Sequence, residues 1–272
     1  MNKYKYNEEE YAKEIEKHGF LTKYHTYELK ILAKYYKDQD YKPKERKRLI
    51  YEFCEKYIEK FNRVKYFKVI NSALNYANKK NNKLIIINKI PIFDTEVEYI
   101  NSLQLEYVYK KVLFTLLVNN KINKEICQLT FGKSSDFNFF GGKKQHYQEV
   151  YEMAKISSDI KINDIINYLS EQGLVDIRTR GRINLLFINN IEKSDNEVMN
   201  ITTFDNVGYY LDWYNGDKKI ITCENCGKYI KKYNSRKYCK SCAREIKREK
   251  DRIADIKYKE NKKSEKNENV PK

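Results

Sequence analysis

Four of the chain's six cysteines are paired by spacing: Cys223-Glu-Asn-Cys226 and Cys239-Lys-Ser-Cys242, with twelve residues between the pairs. Two such pairs supply four thiolates, which fill the tetrahedral shell of one zinc ion and leave no position open for water or substrate. The cofactor expected is therefore a single structural Zn2+ held by Cys223, Cys226, Cys239 and Cys242. Its binding would supply much of the folding energy of so small a lobe. Gly227 lets the chain turn back after the first pair. The second pair opens the run AREIKREKDRI, whose residues favour a helix. Thiolates at a helix start feel the positive end of its dipole. Two disulfides or a redox dithiol are the alternatives, but two matched pairs exceed what a redox site needs. Cys54 and Cys127 sit alone in apolar patterns and read as core residues.

Charge is the second chemical signal. The chain of 272 residues holds 54 Lys and Arg against 38 Asp and Glu, a net +16. AT-rich codon usage accounts for Lys in place of Arg. It does not account for the surplus, because Glu codons are AT-rich too. A surplus of this size suits a polyanion, nucleic acid first. Residues 228–272 carry 17 cations and 7 carboxylates, so a basic helix leaves the cysteine module, and Lys237, Arg244, Lys247 and Arg248 are placed to meet phosphates. Arg178-Thr-Arg180-Gly-Arg182 concentrates arginine at a turn in a chain whose default cation is lysine. Arginine makes bidentate phosphate bonds and can enter a narrow minor groove. Lys161, Asn163 and Asn167 lie on the polar face of an adjacent helix and could reach base edges, although Asp159 and Asp164 there would repel phosphate. The run Lys42, Lys44, Arg46, Lys47, Arg48 reads as a solvated face.

Catalytic patterns are missing. Gly132-Lys133-Ser134 fails as a phosphate loop because Cys127 stands where the first glycine belongs. No HExxH and no Ser/His/Asp order occurs. The histidines are His18, His25 and His146, none in or after the cysteine module, which argues against a nuclease built on it. A non-enzymatic protein is expected.

The elements that must position these residues are mainly helical with small β elements. Residues 1–104 read as a helical N-terminal region, with helices near 8–17, 27–37, 43–61, 64–79 and 96–103, the last opened by Thr95 and Glu98 as a capping box. A short strand is expected at 83–88. Residues 105–190 give three amphipathic helices followed by a two-stranded hairpin, LVDIR and RINLLFI about the arginine turn. That is the order of a winged helix-turn-helix, with a short polar join at Ile156-Ser157-Ser158-Asp159. Residues 127–142 are irregular for that fold. Residues 191–222 are expected to be a β-rich connector, with strands at 200–204, 209–213 and 218–222 and an Asn215-Gly216 hairpin turn. Residues 223–256 form the zinc lobe, treble-clef or zinc-ribbon-like, and 257–272 a disordered tail.

The segment FDNVGYYLDWYNGDKKIITCENCGKYIKKYNSRKYCKSCAREIKREKDR resembles the C-terminal zinc module of uncharacterised phage and mobile-element proteins of AT-rich Gram-positive bacteria. KKVLFTLLV and QGLVDIRTRGRINLLFI echo the same proteins more loosely. The resemblance implies the same four zinc ligands and no particular activity. The function expected is a DNA-binding phage or mobile-element regulator or replication accessory. Its partner would be duplex DNA, with protein contacts through the N-terminal helices. RNA or single-stranded DNA, stacked on Tyr229, Tyr233 and Tyr238, is the alternative partner, and a protein-interaction adaptor is a further reading. No membrane partner is expected: the longest apolar run, 112–118, is far short of a span, MNKYKYNEEE lacks a signal core, and a cytoplasmic location follows.

Overall fold

A computed structural model describes residues 6–133, 137–141, 144–156, 161–178 and 181–268. Ser157, Ser158, Asp159, Thr179 and Arg180 lie outside them. The described chain is mainly helical, with small antiparallel sheets.

The first core belongs to four helices: α1 (Glu8–His18), α2 (His25–Asp38), α3 (Pro43–Tyr57) and α4 (Arg63–Asn78). The Asn7 side chain caps α1 by accepting from the Glu10 N–H at 3.0 Å, and three glutamates fill the first turn where the dipole favours them. Gly19 ends α1 at φ +83°, and a Cβ there would lie 2.6 Å from the Tyr57 ring. Leu29, Leu32, Ala33 and Tyr36 of α2 pack at helical spacing against Ile50, Phe53, Cys54 and Ile70. Burial pushes the Cys54 thiol up to about 12, so it packs as a small apolar group. Two buried carboxylates in this core are satisfied. Glu8 pairs with Lys34 and accepts the Ile85 N–H at 2.8 Å, and Glu28 accepts from the Tyr11 hydroxyl at 2.7 Å.

The second core begins at Ile87. It comprises β1 (Ile90–Phe93), α5 (Asp94–Ser102), α6 (Tyr107–Phe131), β2 (Phe139–Gly141), α7 (Lys144–Ala154), α8 (Ile162–Glu171), β3 (Asp176–Ile177), β4 (Arg182–Asn184), β5 (Glu197–Ile201) and α9 (Gly208–Tyr214). The 25-residue α6 is its axis, buried over most of 111–120, with α5, α7, α8 and α9 around it. β1 pairs with β5, and the other three strands form an antiparallel sheet in the order β2-β4-β3. The strand between α6 and α7 therefore completes the sheet begun by the hairpin after α8.

Several expectations are corrected. Residues 209–213 are helix α9 and not a strand. Their aromatic run favours β locally, but the Asp212 carboxylate is drawn inward by Lys111 on α6, a tertiary bond that overrides propensity. Asn215-Gly216 caps that helix, with Gly216 at φ +81°, instead of turning a hairpin. Residues 83–88 make one antiparallel bridge, Ile86 to Asn7, and no strand. α5 starts two residues earlier than expected, at Asp94 and not Glu96, because Glu96, not Glu98, returns to the N-terminal amide, accepting from Phe93 N–H at 2.9 Å. The second hairpin strand stops at Asn184, and Leu186–Asn190 is a 3-10 turn.

The third core is the cysteine module. β6 (Ile220–Thr222) and β7 (Tyr229–Lys231) pair antiparallel, and α10 (Lys240–Glu268) follows. Helix covers most of the tail for which disorder was expected, consistent with the helix propensity of its Lys and Glu. No helix among the described residues is long and apolar enough to cross a membrane.

Candidate metal centre and nucleic-acid interface

The hairpin carries the first cysteine pair at its tip. Thr222 faces Tyr229 in the last ladder position, Cys223 N–H bonds to Lys228 O at 2.8 Å, and Gly227 N–H returns to Cys223 O at 2.9 Å with Gly227 at φ +69°. The second pair lies at the start of α10. No hairpin intervenes between the pairs among the described residues; the strands flank the knuckle instead.

All four Sγ atoms lie within 4.8 Å of one another, and none is in a disulfide. Cys226 and Cys239 Sγ are 3.8 Å apart. A tetrahedron of sulfurs about 2.3 Å from a central ion has edges of about 3.8 Å. The cluster could therefore hold one metal ion. Cys239 N–H points at Cys223 Sγ at 3.2 Å, and Cys242 N–H at Cys239 Sγ at 3.5 Å, as sulfur carrying negative charge requires. Burial pushes the Cys223 thiol up, but the amides of Cys239, Cys226 and Asn225 outweigh it and hold it well below its ordinary value. Burial and the neighbouring sulfurs push Cys226 up. Four sulfurs this close cannot all ionise without a cation among them.

The module is seated on the second core. The Tyr229 ring meets Tyr210 edge-on at 4.6 Å and lies 5.4 Å from Trp213, both on α9. Asn206 donates to Tyr229 O, and Lys228 pairs with Asp205. α9 is itself held by Lys111, which reaches Asp212 at 2.8 Å while Tyr107 donates to the other carboxylate oxygen at 2.9 Å. Lys111 and Asp212 are only 9% and 8% exposed. A cleft of about 610 Å³ separates α1 and residues 202–205 from the module, and Cys226 and Cys242 open onto it. Metal and chelator can thus reach the sulfurs.

The expected nucleic-acid residues are distributed unevenly. Arg244, Lys247 and Arg248 are exposed on α10, while Lys237 pairs with Glu224 at 3.4 Å. At the hairpin, Arg178 is tied to Asp176 at 2.6 Å, and the Arg182 guanidinium stacks 3.9 Å from the Phe139 ring of β2. Arg180 lies outside the described residues. Lys161, Asn163 and Asn167 are exposed on α8, beside exposed Asp164. The α3 run is not simply solvated: Arg46 is buried with Nε and one Nη unpartnered, Arg48 pairs with Glu52, and Lys47 lies 5.9 Å from the Phe67 ring.

The charge of residues 60–93 was missed from the sequence. Residues 94–227, which hold most of the second core, carry 19 carboxylates against 15 cations. The surplus lies to either side, in 228–272 and in 60–93, where eight Lys and Arg stand with no Asp or Glu. Counting charge by window along the chain finds the second segment; looking for runs of cations does not, because its cations are spaced apart.

No protein-family model, curated protein or solved structure matches the chain.

Proposed function

We propose that this is a non-enzymatic, zinc-containing DNA-binding protein, in which a winged helix-turn-helix docks on duplex DNA and the zinc lobe clamps the backbone. The observation that carries it is α10. This 29-residue helix starts on the cysteine cluster, and every described side chain from Lys247 to Tyr258 is exposed. A helix of that length is about 43 Å long, more than one turn of B-DNA. Zinc is the ion that four thiolates at this spacing favour. Held by Cys223, Cys226, Cys239 and Cys242, it would fix the helix start and perform no chemistry on a substrate.

The winged-helix reading draws support from the sheet order β2-β4-β3, with β2 between the first and second helices, and from the wing tip, where Tyr147 of α7 donates to Gly181 O. Arg178, Arg180 and Arg182 would be wing contacts; Arg244, Lys247 and Arg248 would be backbone contacts. The resemblance of the cysteine module adds a phage or mobile-element regulator or replication accessory as the setting.

The test is fluorescence anisotropy of the zinc-loaded protein on an AT-rich duplex across a salt series. Log affinity should fall linearly with log salt. Reversing Arg244, Lys247 and Arg248 to Glu should lower that slope by about 2.7, at about 0.9 for each phosphate no longer neutralised. Changing the three wing arginines to Ala should weaken binding further. A duplex that does not bind near physiological salt, or affinities that neither variant changes, would sink the reading.

A further inference from the structure

The N-terminal bundle carries a groove that the wing and the zinc lobe do not use. It is open, about 500 Å³, and lies between α2 and α4. Its charged residues are Lys30, Lys68 and Lys79, and its polar ones Asn71, Ser72 and Asn75. Among the described residues no carboxylate lines it. On α4 the residues 68, 71, 72, 75 and 79 recur at three- and four-residue steps, which puts them on one outward stripe opposite the buried Ile70, Ala73 and Ala77.

Two aromatic rings belong to the same surface. Phe67 is 50% exposed and Tyr76 36% exposed, although a half-buried helix gains nothing by presenting phenylalanine to water. Each ring has a lysine over it: Lys30 Nζ lies 4.9 Å from the Tyr76 centroid and Lys47 Nζ 5.9 Å from that of Phe67. Lys30, Lys47, Lys68 and Lys79 make no ion pair among the described residues. Glu8 and Glu28, buried in the bundle, are committed to Lys34 and Tyr11. The far end of the groove is fixed, because Lys37 donates to Ala77 O at 2.8 Å and Asn82 to Tyr76 O at 2.7 Å, satisfying the last carbonyls of α4.

Unpaired lysines call for an anion. Accessible rings beside them call for a flat group to stack on, and side-chain amides call for groups that both donate and accept. A nucleic-acid strand with unstacked bases offers all three, whereas a duplex hides its base faces. An anionic membrane would use the lysines and leave the rings and amides idle, and an acidic peptide could engage the amides through its backbone but brings no regular array of flat groups to the rings. We propose that this groove binds a single-stranded nucleic-acid segment, with phosphates on Lys30, Lys68 and Lys79 and a base on Phe67. The proposal does not depend on the duplex-binding reading.

The test uses the full zinc-loaded chain and fluorescein-labelled oligo(dT). Lys68→Ala with Lys79→Ala should lower affinity about tenfold and reduce the log–log salt slope by about 1.4, at about 0.7 per single-strand phosphate. Phe67→Ala should lower affinity about fivefold or more and leave the slope unchanged, since stacking releases no counterion. An oligonucleotide carrying 5-iodouracil should photocross-link to the peptide containing Phe67. Unaltered thermal melting checks that each variant folds. Absence of oligo(dT) binding, indifference to both variants, or cross-links confined to α10 would overturn the proposal. So would competition by poly-glutamate or by phosphatidylserine vesicles as effective as that of unlabelled oligo(dT). Oligo(dT) binding without duplex binding would leave this groove standing and remove the duplex reading; duplex binding alone would do the reverse.

Discussion

Two basic regions bracket a core that carries a net negative charge, and they are basic in different ways. In residues 228–272 seventeen cations are interleaved with seven carboxylates, and Arg252 is held by Glu249 at 2.7 Å. Residues 60–93 hold eight cations and no carboxylate of their own, and Arg63 alone among them is ion-paired among the described residues, with Glu55 on α3 at 2.6 Å. The first pattern suits a free-standing helix, because interleaved charges support helix without tertiary help. The second cannot stabilise itself that way, and α4 depends on its packing against α2. A surface left with bare lysines on a helix held from beneath is organised for an external anion. The two regions also rest on different foundations: α10 on a cluster of four cysteines that could hold a metal ion, and the α2–α4 groove on a hydrocarbon core with its own buried pair, Lys34 with Glu8.

Removing the metal should separate them most sharply. Structural zinc contributes about 10–16 kcal/mol to sites of this type. Chelation, or Cys223→Ser with Cys239→Ser, should therefore unfold the lobe and remove its share of the salt-dependent duplex binding while sparing oligo(dT) binding. Trp213 is the chain's single tryptophan and lies 5.4 Å from Tyr229, so its fluorescence reports the lobe and not the bundle. Equal weakening of both ligands on chelation would show that the regions are not independent.

A smaller effect is expected at the seat of the lobe. Lys111→Met leaves Asp212 buried without its cation and should cost about 3–5 kcal/mol. The Trp213 transition should move to lower temperature. A melting curve that Lys111→Met leaves in place would mean that α9 is not held by this pair.

The smallest effect probes charge pattern alone. Asn75→Glu puts the first carboxylate into the groove, and should weaken oligo(dT) about threefold. Ala254→Glu on exposed α10 adds one more to a mixed population and should change duplex affinity less. The reverse order would mean that interleaved acids, not bare lysines, set the response.

Much of this architecture is legible in the sequence. The cysteine spacing gives the cluster of four sulfurs that could hold one metal ion, because such spacing is local and strict. Leu29, Leu32, Ala33 and Tyr36, or Ile162, Ile165, Ile166 and Leu169, give their helices because burial repeats with the helical turn. Helix α9 was not legible. Its aromatic run favours a strand, and the residues that make it helical lie a hundred positions away, in Lys111 and Tyr107. β2 was hidden because three residues pairing with β4 leave no period of their own. The groove was hidden for a third reason. Its lysines and asparagines match the background of an AT-rich composition, and only folding brings Lys30 to Tyr76.

Gly208 touches the same region from another side. A Cβ there would lie 1.9 Å from Ala154 O and 2.8 Å from Lys111 Cε, so α9 enters the core at backbone contact with α7. The path from α10 through the sulfurs, Tyr229 and α9 to α6 is therefore made of packed contacts among the described residues. For the wing and α10 on one duplex, that matters as local concentration. Once one site is engaged, a stiff mount presents the second at a fixed distance, and its effective concentration is high for ligands that match the span and low for all others. Removing the metal would turn the mount into a tether and spread that concentration over many spans, so the ion would govern which lengths of nucleic acid are favoured as well as how tightly they are held.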